Sequence, residues 1–300
     1  MSNTSTLTLA KSEINKLNTH YAKYRQQHVP AYVAAVFVLP ACRITVYESH
    51  KVVFQGKDAT QESALWGVPT KKPQIDGARR VLTSYIGCDE TGVGDYFLPL
   101  VVAACYINPR IEQAIRTLNI KDSKQLNDAY IRQIAPTLRQ YVPYAIYTLP
   151  NDKYNEFIVN GYNAHSIKAF VHNKAITRLI EKAGLAPNTD IVMDQFASKK
   201  NYAAYLKGIT PVYIPTVFET KAENKYLGVA IASIIARASF LATKDGIDAQ
   251  YGVDFPFGAG KHVDTFGVNF LTAFGMEAFK DNVKWHFANT NRIVRPNDKR

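Results

Sequence analysis

Apolar residues Leu9, Ile14, Leu17 and Tyr21 recur near helical spacing, which predicts an amphipathic helix close to the N-terminus. The Val-rich run Ala31 to Leu39 is apolar throughout and reads as a buried strand. Arg43 to Tyr47 and Val52 to Phe54 follow as strands joined by the polar turn Glu48-Ser49-His50. A helix over about Ala59 to Trp66 completes a compact α+β unit. Next comes Val68-Pro-Thr-Lys-Lys-Pro-Gln-Ile-Asp-Gly77, rich in Pro, Gly and charge and without any period, the composition of a linker. The expected boundaries are 1–67 for the first domain, 68–83 for the linker and 84–300 for the second domain.

The pattern in the second domain is different. Short apolar runs at Tyr85–Asp89, Leu98–Ile107, Tyr144–Leu149 and Asp190–Asp194 read as strands. Asn163 can cap a long helix that runs to Lys182, with Gly184 as its stop. Tyr226 to Ala242 is dense in Ala, Ile and Ser, so it predicts a tightly packed helix. Strands followed by helix, strand and helix imply an α/β mixed sheet covered by helices. No apolar run approaches the ~20 residues needed to span a bilayer, so no membrane partner is expected. Met1 to Ala10 is Ser/Thr-rich and does not read as a signal peptide.

Composition adds two constraints. Cys42, Cys88 and Cys105 are scattered, the usage of unpaired thiols in a reducing cytoplasm. The net charge is +11, which favours acidic partners such as phosphate backbones. Residues 1–80 hold 11 Lys/Arg against 5 Asp/Glu and so carry +6 of that charge. In this part Lys51, Lys57, Lys71 and Lys72, with Tyr47 and Phe54, form a candidate surface for gripping a backbone and stacking on sugars.

The chemistry concentrates in Ile86-Gly-Cys-Asp89-Glu90-Thr-Gly92-Val93-Gly94-Asp95, where adjacent carboxylates close an apolar strand and open into a glycine turn. Carboxylates at a strand end are costly to bury unless they bind a cation, and such hard oxygen ligands suit Mg2+ or Mn2+. A solvated acidic turn is the plainer alternative. Asp194 ends a second apolar strand, and Glu223 precedes the Ala/Ile-rich helix; spacing alone does not prove that these groups converge. A dinucleotide-binding reading of Gly92-x-Gly94 fails, because Asp95 and Pro99 lead into a strand where that fold needs a helix.

Several ordered motifs extend this segment: Lys121-Asp-Ser123-Lys124, Tyr162-Asn-Ala-His165 with His172-Asn173, Met193-Asp-Gln-Phe196, Thr220-Lys-Ala-Glu223, Ala232-Ser-Ile-Ile-Ala-Arg237, Phe257-Gly-Ala-Gly260 and Trp285-His-Phe-Ala-Asn-Thr290. With them residues 84–300 resemble ribonuclease HIII, the bacterial branch of the type 2 ribonucleases H. The first domain, most tellingly at Val52-Val-Phe-Gln-Gly56, resembles that family's small substrate-binding domain, which is like the TATA-binding protein.

The resemblance implies a ribonuclease H-like mixed sheet with flanking helices plus a small N-terminal α+β TATA-binding-protein-like domain. It implies a metal-dependent endonuclease that hydrolyses the RNA strand of RNA–DNA hybrids by a two-metal mechanism and leaves 3′-hydroxyl and 5′-phosphate ends. Carried over by motif, the catalytic and metal-binding residues are Asp89, Glu90, Asp194 and Glu223, with Asp89 expected to bridge the metals. The expected substrate contacts are Gly92, Val93 and Gly94 through their backbone, Ser123, Lys124, Lys221 and Arg237, and Lys51 and Lys57 in the first domain. His165 and His172 read as surface or core histidines of a helix, or as neighbours of the metal site. In ribonuclease HII an Asp is usual where Glu223 stands and the junction-specific enzymes carry Arg where Val93 stands; the family's commoner turn is Gly-Thr-Gly. Ribonuclease HII-like cutting at single ribonucleotides in DNA, or a non-catalytic nucleic-acid-binding protein, are the alternatives. A cytoplasmic enzyme with no obligate protein partner is expected.

Overall fold

The computed structural model describes residues 3–30, 32–66, 82–118, 120 and 127–294. The chain divides into two compact units, Met1–Val81 and Leu82–Arg300. Most of the expected linker, 68–81, lies outside the described residues, as do Ala31, Lys71, Lys72, Ser123 and Lys124.

The first unit runs β1 (Asn3–Thr8), α1 (Lys11–His20), β2 (Val33–Val38), β3 (Cys42–Tyr47), β4 (Lys51–Gly56) and α2 (Ala59–Ala64). Its antiparallel sheet has the order β1-β4-β3-β2. Strand alternation sends Leu7, Ile44, Val46, Val52 and Phe54 to a face where Ile14 and Leu17 of α1 close the core. The strand β1 has no counterpart in the pattern reading, because its outward positions are Thr4, Thr6 and Thr8 and on the inward side a polar Ser5 accompanies the buried Leu7. The positive φ of His50, 65°, makes the tight reversal between β3 and β4.

The second unit contains β5 (Tyr85–Thr91), β6 (Leu100–Ile107), α3 (Pro109–Ala114), α4 (Asp128–Tyr141), β7 (Tyr144–Leu149), α5 (Asn151–Val159), α6 (Ala164–Ala183), β8 (Asp190–Asp194), α7 (Lys199–Tyr205), β9 (Val217–Glu219), α8 (Leu227–Tyr251), α9 (Lys261–Asn282) and α10 (Ala288–Val294). The sheet order is β7-β6-β5-β8-β9. β5 pairs antiparallel with β6 and parallel with β8, so the sheet is mixed. Both faces are covered. On one, Ala103, Cys105 and Val192 pack against α4 and α8; on the other, Ile86, Cys88, Ala104 and Met193 pack against α6 and α7.

The helix α6 begins and ends where its capping residues dictate. Asn163 Oδ1 accepts from Ser166 N at 2.9 Å, and Gly184 at φ 60° stops the last turn. The helix α8 is longer than its apolar pattern suggests and reaches Tyr251. It is long and apolar enough to cross a membrane, in contrast to the expectation that no such segment exists, but 67% of its most apolar window is buried inside the protein. Its apolar surface is used on β5 and β6.

Candidate active site

Parallel pairing of β5 with β8 sets Cys88 beside Met193, so the next residues along, Asp89 and Asp194, lie together where that pairing ends. Glu223 reaches that end through the short turn Ala222–Asn224, which leads into α8. The turn is tied to β8 by a hydrogen bond from Ala222 N to Asp194 Oδ1 at 3.3 Å. Backbone topology therefore brings all the sequence-expected carboxylates to one edge.

The side chains of Asp89 and Glu90 part company because successive residues of a strand face opposite ways. Asp89 turns toward α8, where the Ser233 hydroxyl bonds its carboxylate. Burial raises its pKa well above the usual carboxylate range, and the negative charges of Glu90 and Glu223 push in the same direction. Glu90 turns toward α6. Burial would raise its pKa, but His172 and Lys168 outweigh it and hold the carboxyl below the ordinary value. The His172 Nε2 lies 2.9 Å from Glu90 Oε2, and Lys168 Nζ pairs with Glu90 Oε1. The two helix residues are four apart and share a face.

In this side-chain arrangement no three His, Cys, Asp or Glu groups among the described residues are gathered as a ready metal cage. Glu90 is held by α6, and Glu223 accepts from Asn224 Nδ2 at 2.7 Å. The donor set nevertheless fits a hard divalent cation: the charges of Glu90 and Glu223 both bear on a half-buried Asp89, and a cation relieves that crowding.

The glycine turn is built for close approach. Gly92 has φ +96°, and a Cβ there would sit 2.0 Å from Pro99 O, so only glycine fits. A Cβ on Gly94 would meet nothing within 4 Å, so that side is open. Asp95 is not part of the carboxylate group; its Oδ1 accepts from Gly258 N at 2.6 Å and joins the turn to the Phe257–Gly260 motif.

Other expected residues fall elsewhere. Arg237 is paired with Asp128, with Nε and Nη2 at 2.8 and 2.9 Å from its two oxygens, and this guanidinium fork ties α8 to the start of α4. Phe54 is fully buried in the first core and cannot stack on a sugar. Lys51 and Gln55 of the same strand are exposed on the opposite face, with Arg43 paired across from Gln55. Lys57 is exposed just beyond β4. Lys221 is exposed at the head of the Glu223 turn. His165 stacks on Phe196, whereas His172 is fully buried against Glu90. Asn173 is structural: it holds the 211–213 loop through Pro211 O and Tyr213 N, each at 2.9 Å. Lys168, Ser233 and Lys284 also serve the site, through partners distant in sequence. A Lys four residues before His172 is the one signal that marks Lys168.

A family model described as ribonuclease HII matches residues 86–290, and one described as a domain of unknown function (DUF3378) matches residues 4–76. The chain is 38% identical to ribonuclease HIII of Bacillus subtilis, over 99% of this chain and 98% of that protein. It is 39% identical to ribonuclease HIII of Lysinibacillus sphaericus, over 89% and 94%. The crystal structure of Bst-RNase HIII in complex with Mn2+ superposes with a TM-score of 0.70 at 34% identity, covering 99% of this chain and 100% of that one. Shared sequence along nearly the whole length, in both units, shows that the chain belongs to the ribonuclease HIII family and is a ribonuclease H.

Proposed function

We propose that Asp89, Glu90, Asp194 and Glu223 are the catalytic carboxylates of this ribonuclease H and that they hold Mg2+ or Mn2+ while the RNA strand of an RNA–DNA hybrid is cut. The observation that carries the reading is the crowding of negative charge on Asp89 at the shared end of β5 and β8. The solved relative's Mn2+ supports the choice of metal. Two bound cations supply an activated water, charge relief on the phosphate and help for the leaving oxygen, so that cutting leaves a 3′-hydroxyl and a 5′-phosphate.

The chain's own groups prepare this. Ser233 fixes the Asp89 carboxylate, and Lys168 with His172 keep Glu90 ionised. The backbone of Gly92, Val93 and Gly94 lies next in sequence and can meet a 2′-hydroxyl, the group that separates RNA from DNA. Lys221 is placed to neutralise a phosphate near Glu223. In the first unit Lys51 and Lys57, both exposed, grip the hybrid backbone. Ser123 and Lys124 belong to the same reading as phosphate or sugar contacts. The buried, free thiols of Cys42, Cys88 and Cys105 support work in the reducing cytoplasm.

The test is cleavage of an end-labelled hybrid by Asp89→Asn and Glu90→Gln. Both amides keep shape and lose the charge that holds a cation. The expected result is loss of cleavage with fold and hybrid binding nearly intact; near-normal turnover in either variant overturns the assignment.

A further inference from the structure

Lys284 is fully buried, between α9 and α10. Burial drives its pKa down to about 7, against the opposing influence of the Asp95 charge. Its Nζ donates to backbone carbonyls of a single loop: Gly92 O at 2.9 Å, Asp95 O at 2.6 Å, and Leu98 O. An ammonium has three donors, and here each meets an acceptor. An apolar side chain would fill the same space without the cost of burying a charge. What the ammonium adds is direction.

A trans peptide plane points its C=O and the following N–H in opposite directions. With Gly92 O drawn inward to Lys284, the Val93 N–H must point outward. The same holds at Asp95 O, where the following N–H of Tyr96 turns away and reaches Gly258 O at 2.9 Å. Leu98 O is followed by Pro99, which has no N–H to orient. Of the peptide planes set by Lys284, one gives its donor to the protein, one has none, and the third presents the N–H of the exposed Val93, three residues after Glu90. Gly92, pressed against Pro99 O, fixes that plane from its other side.

We propose that Lys284 is a positioning residue that aims the Val93 N–H at a 2′-hydroxyl of the RNA strand, an inference that rests on reading Gly92–Gly94 as the substrate-contacting turn. Lys284 touches neither metal ligand nor substrate; it acts through the loop.

The experiment compares the unaltered chain with Lys284→Met on a set of hybrids. In each hybrid one ribonucleotide near the cut is replaced by its 2′-deoxy form. In the unaltered chain one such replacement lowers kcat/KM by about tenfold, the value of a well-aimed hydrogen bond. In Lys284→Met that penalty shrinks to about twofold or less, while Mn2+ binding by calorimetry stays within about twofold because no carboxylate has changed. An equal penalty in both chains overturns the role of Lys284 and leaves the turn as the 2′-hydroxyl reader. No sensitive position in the unaltered chain overturns the reading of the turn, and the proposal with it. Hydrogen exchange on the unaltered chain keeps the idea testable if Lys284→Met does not fold. A Val93 amide that exchanges freely alone and is slowed by saturating hybrid, without added metal, supports the proposal; one already protected in the free chain overturns it.

Discussion

Asp89 and Glu90 are adjacent in sequence and opposite in environment. Ser233 on α8 receives one, Lys168 and His172 on α6 receive the other. The consequence for stability has opposite signs. Asp89 is raised above its unfolded value, so the native metal-free chain binds its proton more tightly than the unfolded chain does. Its contribution is full below the ordinary carboxylate pKa and is lost as pH rises through the raised value. Glu90 is lowered, so its contribution is present above the ordinary pKa and is lost as pH falls through the depressed one. Asp89→Asn should therefore stabilise the metal-free chain at pH 8, by about 1–2 kcal/mol, and do little near pH 4. Calorimetry in chelator at both pH values checks this. Adding Mn2+ should reverse the order at pH 8, because the amide no longer holds the cation. A variant no more stable than the parent at pH 8 without metal would mean that the Asp89 charge is well solvated.

The contact of β5 with α8 shows how an element sets the site. A Cβ on Gly87 would lie 2.2 Å from the backbone of Gly228, and one on Gly228 would lie 2.9 Å from the Tyr85 ring, so strand and helix touch backbone to backbone. Gly87→Ala should push α8 away, cost about 1–3 kcal/mol and move Ser233 off Asp89. A urea melt gives the first effect and hybrid cleavage the second; an unchanged midpoint would show that the contact has slack. The edge strand β7 is managed differently: Arg178 Nη1 reaches Ile146 O at 3.0 Å and Lys182 Nζ reaches Tyr144 O at 3.5 Å, covering carbonyls that could pair with another chain. Arg178→Ala should increase aggregation on heating, as light scattering would record. Much of this was legible in the sequence. Asn163 and Gly184 bracket α6, the apolar runs give β5 to β8, and the motifs give the carboxylates. What escaped notice is physically weak locally: β1 hides its single buried Leu7 among Thr and Ser, and β9 is only three residues long. The long α9 contains Gly275 at φ 81°, which breaks its period. The task of Lys284 comes from tertiary partners far away in sequence, so no local pattern announces it, and Lys168 is marked only by its spacing from His172.

At the scale of the whole molecule, the denser positive charge and the candidate carboxylates sit on different units. Residues 1–80 carry +6 of the net +11 and none of the four candidate carboxylates. Removing them should weaken hybrid binding and flatten its dependence on salt, since fewer counterions are released, while turnover at saturating hybrid largely survives. A titration in salt that gives the same affinities with and without them would remove the binding role of Lys51 and Lys57. The same division bears on the substrate. A basic unit in addition to the one that carries the candidate carboxylates is of use on an extended hybrid and of little use at one ribonucleotide embedded in DNA. The glycine turn points the same way: at position 93 it offers an exposed Val, with no charged side chain to grip flanking backbone at a junction. On the proposed reading its Val93 N–H meets a 2′-hydroxyl, so an all-DNA duplex should be left intact. With Mg2+ the chain should therefore cut the RNA of a long hybrid at several positions and cut a single-ribonucleotide duplex poorly. Cleavage maps at equal enzyme concentration, with Mg2+ and Mn2+ side by side, decide the matter. Equal rates on both substrates in Mg2+ would show that neither the basic unit nor Val93 sets substrate choice, and would place the activity of this chain on the ribonuclease HII side.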